Sequence, residues 1–199
     1  YKQDAYHSLS IEGYQVTESL IQKIETGQWD PQRNSDDEKQ RDALAAKGYS
    51  QCFKQVLDSV NKVLKGGNAA QVLKQNLQVW YRELFSPLAQ AGIVRATDLA
   101  GYRDAQVYIS QSRHIPPPPT AVVDTMDMFF HLLKEETEPS VRVVLGHFIF
   151  VYIHPYMDGN GRIGRLLMNL MLISGGYHWT VIRTSERTPY METLETAST

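Results

Sequence analysis

His154-Pro155-Tyr156-Met157-Asp158-Gly159-Asn160-Gly161-Arg162-Ile163-Gly164-Arg165 brings an imidazole, a carboxylate, a glycine-rich turn and two arginines into one short stretch. An apolar run over 143–153 leads into it, and a helical run over 163–173 leads out. Pro155 disfavours helical dihedrals at the residue before it, so the incoming helix is expected to stop at His154 and turn the ring outward. Gly159 and Gly161 flank Asn160 and permit a tight turn with main-chain N–H groups close to an anion. That turn opens into a helix, whose unpaired N–H groups and positive dipole end favour phosphate oxygens. Arg162 and Arg165 lie three residues apart, share a face and can fork onto a polyphosphate together. Asp158 supplies an oxygen of the kind Mg²⁺ uses, with phosphates and waters completing the octahedron. The stretch reads as a phosphate site with a base at its edge.

It resembles the signature of Fic-domain proteins, His-x-Phe-x-(Asp/Glu)-Gly-Asn-Gly-Arg-x-x-Arg. His154, Asp158, Gly159, Asn160, Gly161, Arg162 and Arg165 match, and Tyr156 stands where the signature has the phenylalanine that anchors the loop in relatives. The resemblance implies an all-α, mainly helical Fic fold with a small β-hairpin flap beside the active site. It implies transfer of AMP from ATP, with Mg²⁺, to a Ser, Thr or Tyr hydroxyl of a protein. His154 would act as general base, and Asp158 would hold the metal against the α- and β-phosphates. The main chain of 159–161 and the Asn160 amide would bind phosphate oxygens. Arg162 would grip the β-phosphate and Arg165 the γ-phosphate. Tyr190 lies where relatives place an aromatic residue near the adenine. A kinase-like branch of the superfamily, the Doc toxins, has lysine at the second glycine, and Gly161 argues against that chemistry. Removal of AMP, with Glu12 positioning a water, and use of another nucleotide are alternatives on the same fold. A non-catalytic nucleotide sensor is the alternative of another class, and His154 argues against it because a sensor needs no base.

At 199 residues and 42% hydrophobic residues, the chain suits one domain with a sizeable core. A net charge of −2 provides no basic footprint, so neither nucleic-acid binding nor attraction to an anionic membrane is expected. No apolar run reaches the length of a bilayer span, and no signal-peptide pattern opens the chain. Cys52 is the only cysteine, which excludes an internal disulfide and suits a reducing, cytoplasmic setting. The chain starts at Tyr1 rather than Met and stops at Ala197-Ser198-Thr199, so a fragment of a longer protein is expected. Residues 1–27 are expected to form an inhibitory segment with a helix, and residues 28–199 the catalytic domain. The expected partner is a protein carrying a hydroxyl side chain, the chain itself included, and a homodimer is compatible with the reading.

Ser8-Leu9-Ser10-Ile11-Glu12-Gly13 resembles the inhibitory pattern (Ser/Thr)-x-x-x-Glu-(Gly/Asn) of one class of Fic proteins, through Ser8, Glu12 and Gly13. The resemblance implies that Glu12 pairs with Arg165, which then cannot seat the ATP γ-phosphate, because carboxylate and phosphate compete for one donor. Without the resemblance, Glu12 reads as a surface glutamate in a helix-terminal turn. Thr17 is then expected to cap a short helix with Leu20, Ile21 and Ile24 as its stripe and Gly27 at its end. A polar connector, 29–34, holds Pro31. Ser35-Asp36-Asp37-Glu38 reads as a capping box that opens a long helix. Its stripe is Leu44, Tyr49, Phe53, Val56, Leu57, Val60 and Leu64, with Cys52 as a small core residue and Gly66-Gly67 as the stop. Asn68 caps the next helix, roughly 69–85, with Leu73, Leu77, Trp80 and Leu84 inward.

Gln106-Val107-Tyr108-Ile109-Ser110 alternates polar and apolar, which predicts a short half-buried strand before the turn Gln111-Ser112-Arg113. Its position resembles the Fic flap, where Val107, Tyr108 and Ile109 would dock a target segment as an added strand. Pro116-Pro117-Pro118-Pro119 predicts a polyproline II spacer. Read as an SH3-type ligand it would suggest a scaffold protein, with only composition behind it. A helix over 120–136 turns Val122, Val123, Met126, Phe129, Phe130 and Leu133 inward, and Glu138-Pro139-Ser140 breaks the chain before the next. His147 reads as a hydrogen-bonded core histidine, since no HExxH pattern accompanies it. Residues 166–173 are apolar nearly all round, as in a buried central helix, and Ser174-Gly175-Gly176 ends them. A further helical stretch begins over 188–194.

Overall fold

The computed structural model describes residues 1–29 and 37–198. The expected connector through Pro31 and the capping box at 35–38 rest on residues outside that set. The described elements are α1 (Lys2–Ile11), α2 (Glu18–Glu25), α3 (Asp37–Leu64), α4 (Ala69–Gln90), α5 (Val122–Glu135), α6 (Pro139–Ile153), α7 (Asn160–Ser174) and α8 (Arg187–Ser198). Helix α7 is central and packs on α6, α3, α4 and α1. Its sequence explains the position. Ile163, Leu166, Leu167, Leu170 and Met171 are all fully buried, so apolar residues cover more than one side. Helices α3 and α4 form the largest helix pair, and α5 closes the bundle between α4 and α6. No described helix is long and apolar enough to cross a membrane.

Local chemistry accounts for most helix ends. Thr17 Oγ1 accepts from Leu20 N at 3.2 Å, and Asn68 Oδ1 accepts from Gln71 N at 3.0 Å. Pro139 starts α6 rather than breaking the chain before it, at the position where its missing N–H costs nothing. Helix α4 continues past the expected end near 85, through Pro87 to Gln90. Proline there removes one hydrogen bond, while Phe85, Pro87 and Leu88 are all buried, so packing holds the last turn. Val123, Leu57 and Leu64 point outward instead of into the core (57%, 42% and 66% exposed). Val123 and Leu57 each sit one step off a stripe whose neighbouring residue, Val122 or Val56, is fully buried, and Leu64 is the last residue of its helix.

The expected β-hairpin is absent among the described residues. Residues 106–109 run without a ladder into a turn in which Ser112 N donates to Ile109 O at 3.2 Å and Gln111 has φ 63°. Side chains take over the pairing that a second strand would supply. Gln106 Nε2 donates to Pro116 O at 3.0 Å, Ser112 Oγ donates to Glu195 Oε2 at 2.5 Å, and Arg113 N donates to Glu195 Oε1 at 2.9 Å. Alternation therefore produced alternating exposure over 107–110 but no sheet.

Candidate active site

The loop between α6 and α7 carries the site. Helix α6 ends at His154, as Pro155 requires, but in the left-handed region (φ 52°, ψ 59°) rather than an extended one. His154 Nδ1 lies 3.2 Å from Val151 O. A carbonyl can only accept, so Nδ1 carries the proton and Nε2 keeps a free lone pair. Burial pushes the pKa of this ring down, and the Arg103 charge acts in the same direction, so the ring is neutral near neutral pH. That is the state a base needs.

Two interactions brace the loop. Asn160 Oδ1 accepts from Tyr156 N at 2.9 Å, and Asn160 Nδ2 donates to Tyr156 O at 2.8 Å, so both ends of the amide engage one residue. The Tyr156 ring is fully buried and stacks on Tyr81 with centroids 3.8 Å apart, while its hydroxyl donates to Gln78 Oε1 at 3.3 Å. Tyrosine thus fills the anchoring position of the loop and adds a hydrogen bond.

Gly159 is the N-cap of α7, and no side chain among the described residues caps the first turn, so its N–H groups remain donors. Arg162 is 1% exposed, with Nη2 3.1 Å from Asp158 Oδ2 and its guanidinium between the Tyr14 and Phe85 rings, each centroid 5.0 Å away. Among the described residues its Nε and Nη1 have no hydrogen-bond partner, and neither does Arg165 Nη1. Buried guanidinium nitrogens without acceptors, at the open end of a helix, fit an anion with several oxygens. Asp158 is 60% exposed along its side chain, accepts from Gly159 N at 2.5 Å, and is the one carboxylate of the loop. Among the described residues no cluster of three or more His, Cys, Asp or Glu could enclose a metal. A single exposed carboxylate fits an ion whose other ligands are phosphate oxygens and water.

Ser8 and Glu12, the residues expected to inhibit, meet the site across more than 150 positions of sequence. Arg165 Nη2 donates to Glu12 Oε1 at 2.7 Å and to Ser8 O at 3.0 Å, and Nε donates to Ser8 Oγ at 3.0 Å. Burial opposes the Arg165 charge, yet Glu12, together with Tyr190 and Tyr49, outweighs it and the guanidinium pKa is raised. Gly161 is what permits the approach, since a Cβ there would run into Glu12 Oε1. Gly13 turns the chain away with φ +90°. Tyr190 reaches the same place from α8, its hydroxyl 2.9 Å from His147 Nε2. Val107 and Ile109 are half-buried and Tyr108 is 76% exposed, on the segment beside His154. Tyr14, Phe85 and Arg103 are site neighbours that the sequence reading missed. Tyr14 directly follows Glu12-Gly13, which could have flagged it, whereas nothing local marks the other two.

The Fic/DOC family model matches residues 71–172, more than half of the chain. The chain belongs to the Fic/DOC family. Its similarity extends beyond the matched region. It is 31% identical over 203 residues to protein adenylyltransferase Fic of Nematostella vectensis, covering 100% of this chain and 43% of that protein. The protein of the same name from Drosophila grimshawi is 31% identical over 204 residues, covering 100% of this chain and 38% of that protein. This Fic/DOC chain therefore spans less than half the length of these curated relatives. Among solved structures, Fic-1 from C. elegans superposes with a TM-score of 0.77 at 22% identity, covering 100% of this chain and 55% of that one. A Fic-domain signalling protein from Bacteroides thetaiotaomicron superposes with a TM-score of 0.75 at 19% identity, covering 97% and 69%. Those two superpositions support the fold.

Proposed function

We propose that this Fic/DOC domain transfers AMP from ATP to a Ser, Thr or Tyr hydroxyl of a protein, with Glu12 as its restraint. The observation that carries the reading is the set of unpartnered N–H donors on buried Arg162 and Arg165 beside the free Nε2 of His154. The names of the relatives support it. Phosphate oxygens would take the place of missing acceptors at Arg162, at Arg165 and along the first turn of α7, stabilising charge as it builds. His154 Nε2 would take the proton of the target hydroxyl as its oxygen attacks the α-phosphorus and pyrophosphate leaves. Mg²⁺ at Asp158 would neutralise charge on the leaving group. Val107, Tyr108 and Ile109 would offer main-chain groups to the target segment.

In the present arrangement Arg165 is committed to Glu12 and Ser8, so a terminal phosphate must displace a carboxylate to reach it. Ser8 has its own part, since its hydroxyl and carbonyl both accept from Arg165. The test is label transfer to protein from α- and γ-labelled ATP with Mg²⁺, using the unaltered chain, Glu12→Gly and His154→Ala. Transfer from the α-position alone, stronger in Glu12→Gly and lost in His154→Ala, is the expected result. Transfer from the γ-position would make the domain a kinase. No transfer even in Glu12→Gly would reassign the site to AMP removal or to nucleotide sensing.

A further inference from the structure

Arg103 is a guanidinium only 4% exposed that the chemistry above does not use. Its Nε donates to His154 O at 2.8 Å, Nη1 to Ala105 O at 3.1 Å, and Nη2 to Pro117 O at 2.5 Å and to Ile153 O at 3.5 Å. Its main-chain N donates to Pro155 O at 2.9 Å. Every one of these partners is a main-chain carbonyl, and they fall in two groups. Ile153, His154 and Pro155 are consecutive and form the corner at which His154 is left-handed. That conformation costs a non-glycine residue about 1 kcal/mol and persists only where its surroundings enforce it. Ala105 and Pro117 bracket the flap segment, which has no ladder of its own. A planar fork with five N–H groups can serve both sets together, and an ammonium cannot.

We infer that Arg103 is a positioning residue for the transfer, joining the His154 corner to the root of the flap so that the base and a docked hydroxyl meet. The inference rests on the proposed AMP transfer. The charges that act on the His154 ring are Arg103, which disfavours imidazolium, and the carboxylates of Glu12 and Asp158, which favour it. Removing the Arg103 charge therefore leaves Asp158, and Glu12 where it is present, to favour imidazolium.

The test compares Arg103→Lys and Arg103→Gln with their parent in a Glu12→Gly background. Three quantities are read: ATP binding with Mg²⁺ by calorimetry, self-transfer of α-label per ATP-binding site, and titration of the His154 ring by NMR. Both variants should bind ATP as the parent does, because Arg162, Arg165 and the α7 turn are untouched. Transfer per site should fall roughly a hundredfold in each, as misplacement of a base by about 1 Å predicts. The His154 midpoint should rise in Arg103→Gln and stay near the parent's in Arg103→Lys, which keeps the charge without the fork. Unchanged transfer per site in both variants overturns the inference, whereas a purely scaffolding arginine would alter only the number of binding sites. Should Arg103→Gln bind no ATP, Arg103→Lys carries the comparison. A parent that transfers no α-label would overturn the AMP reading alone, and the ring titration then decides Arg103: identical curves in all three proteins reject it.

Discussion

His147 shows how much one side chain depends on its place. It is 7% exposed, with Nδ1 3.0 Å from Gly164 O on α7 and Nε2 2.9 Å from Tyr190 OH on α8. Burial, with Arg165 adding to it, pushes its pKa from 6.5 down to about 4. The folded chain thus binds this proton less tightly than the unfolded chain, so the related stability is full above pH 6.5 and is lost as pH falls toward 4. That interval corresponds to roughly 3 kcal/mol. Urea unfolding at pH 7 and pH 4 should show the unaltered chain losing about that much more than His147→Gln. Equal losses in the two proteins would mean that His147 does not resist protonation. Sequence alone marked it correctly as a hydrogen-bonded core histidine, because no ligand pattern accompanied it. Its partners could not be read, since Gly164 and Tyr190 come from other helices. The same holds for Arg162, whose place on the first turn of α7 was legible while the flanking rings of Tyr14 and Phe85 were not.

Elements were legible where a repeat or a cap announced them. The 3.6-residue stripes of α3, α4 and α5 and the caps at Thr17 and Asn68 are local signals, and local physics carries them into the fold. Helix α1 had no such signal: it has no side-chain cap at its start, and two of its five buried residues, Asp4 and Ser8, are polar. How close two elements come is another property no stripe reveals. Gly48 of α3 lies directly against the main chain of α4, where an added Cβ would overlap Leu84 O. Backbone cannot step aside as a side-chain tip does. Gly48→Ala should therefore cost about 3 kcal/mol through overpacking. At 199 residues this corresponds to a melting temperature lower by about 6–12 °C in a thermal unfolding scan. An unchanged midpoint would show that α3 and α4 can separate freely. The flap failed as a strand for a related reason: alternation describes one edge, and a ladder needs a second.

Across the whole molecule, the two ends of the chain meet over the site. Trp179 Nε1 donates to Asp4 Oδ1 at 3.2 Å, and Tyr49 OH donates to Asp4 Oδ2 at 2.5 Å. Thr184 N donates to His7 Nδ1 at 3.2 Å, and Arg187 Nε donates to Ile11 O at 2.9 Å. Helix α1 is thus fastened from α3, from α7 and from the segment leading into α8, and Glu12 at its end is positioned by all of them. Arg187 sits at the negative end of the α1 dipole, next to Glu12. A part-buried charge-assisted bond of about 0.7 kcal/mol corresponds to roughly a threefold shift in how often α1 lifts. Arg187→Gln should accordingly raise α-label transfer by the unaltered chain about threefold and leave transfer by Glu12→Gly unaffected. An equal rise in both backgrounds would place Arg187 in the chemistry rather than in the restraint.

By itself, the sequence determined the glycine-rich turn that opens α7, the end of α6 at His154, the helical character of the chain and the family it belongs to. Each of these rests on residue types at close spacing, and the local backbone obeys them directly. The Glu12–Arg165 pair was expected from the resemblance, whereas tertiary structure alone decided that Ser8 takes Arg165 with both its hydroxyl and its carbonyl, that Arg162 lies between two rings, and that Arg103 ties the flap to His154. The contacts to His154 and to Ser8 join residues 51 and 157 positions apart, and the rings come from separate helices and loops. No periodicity encodes them; they follow from which helix faces are buried against which, and only the packed core settles that.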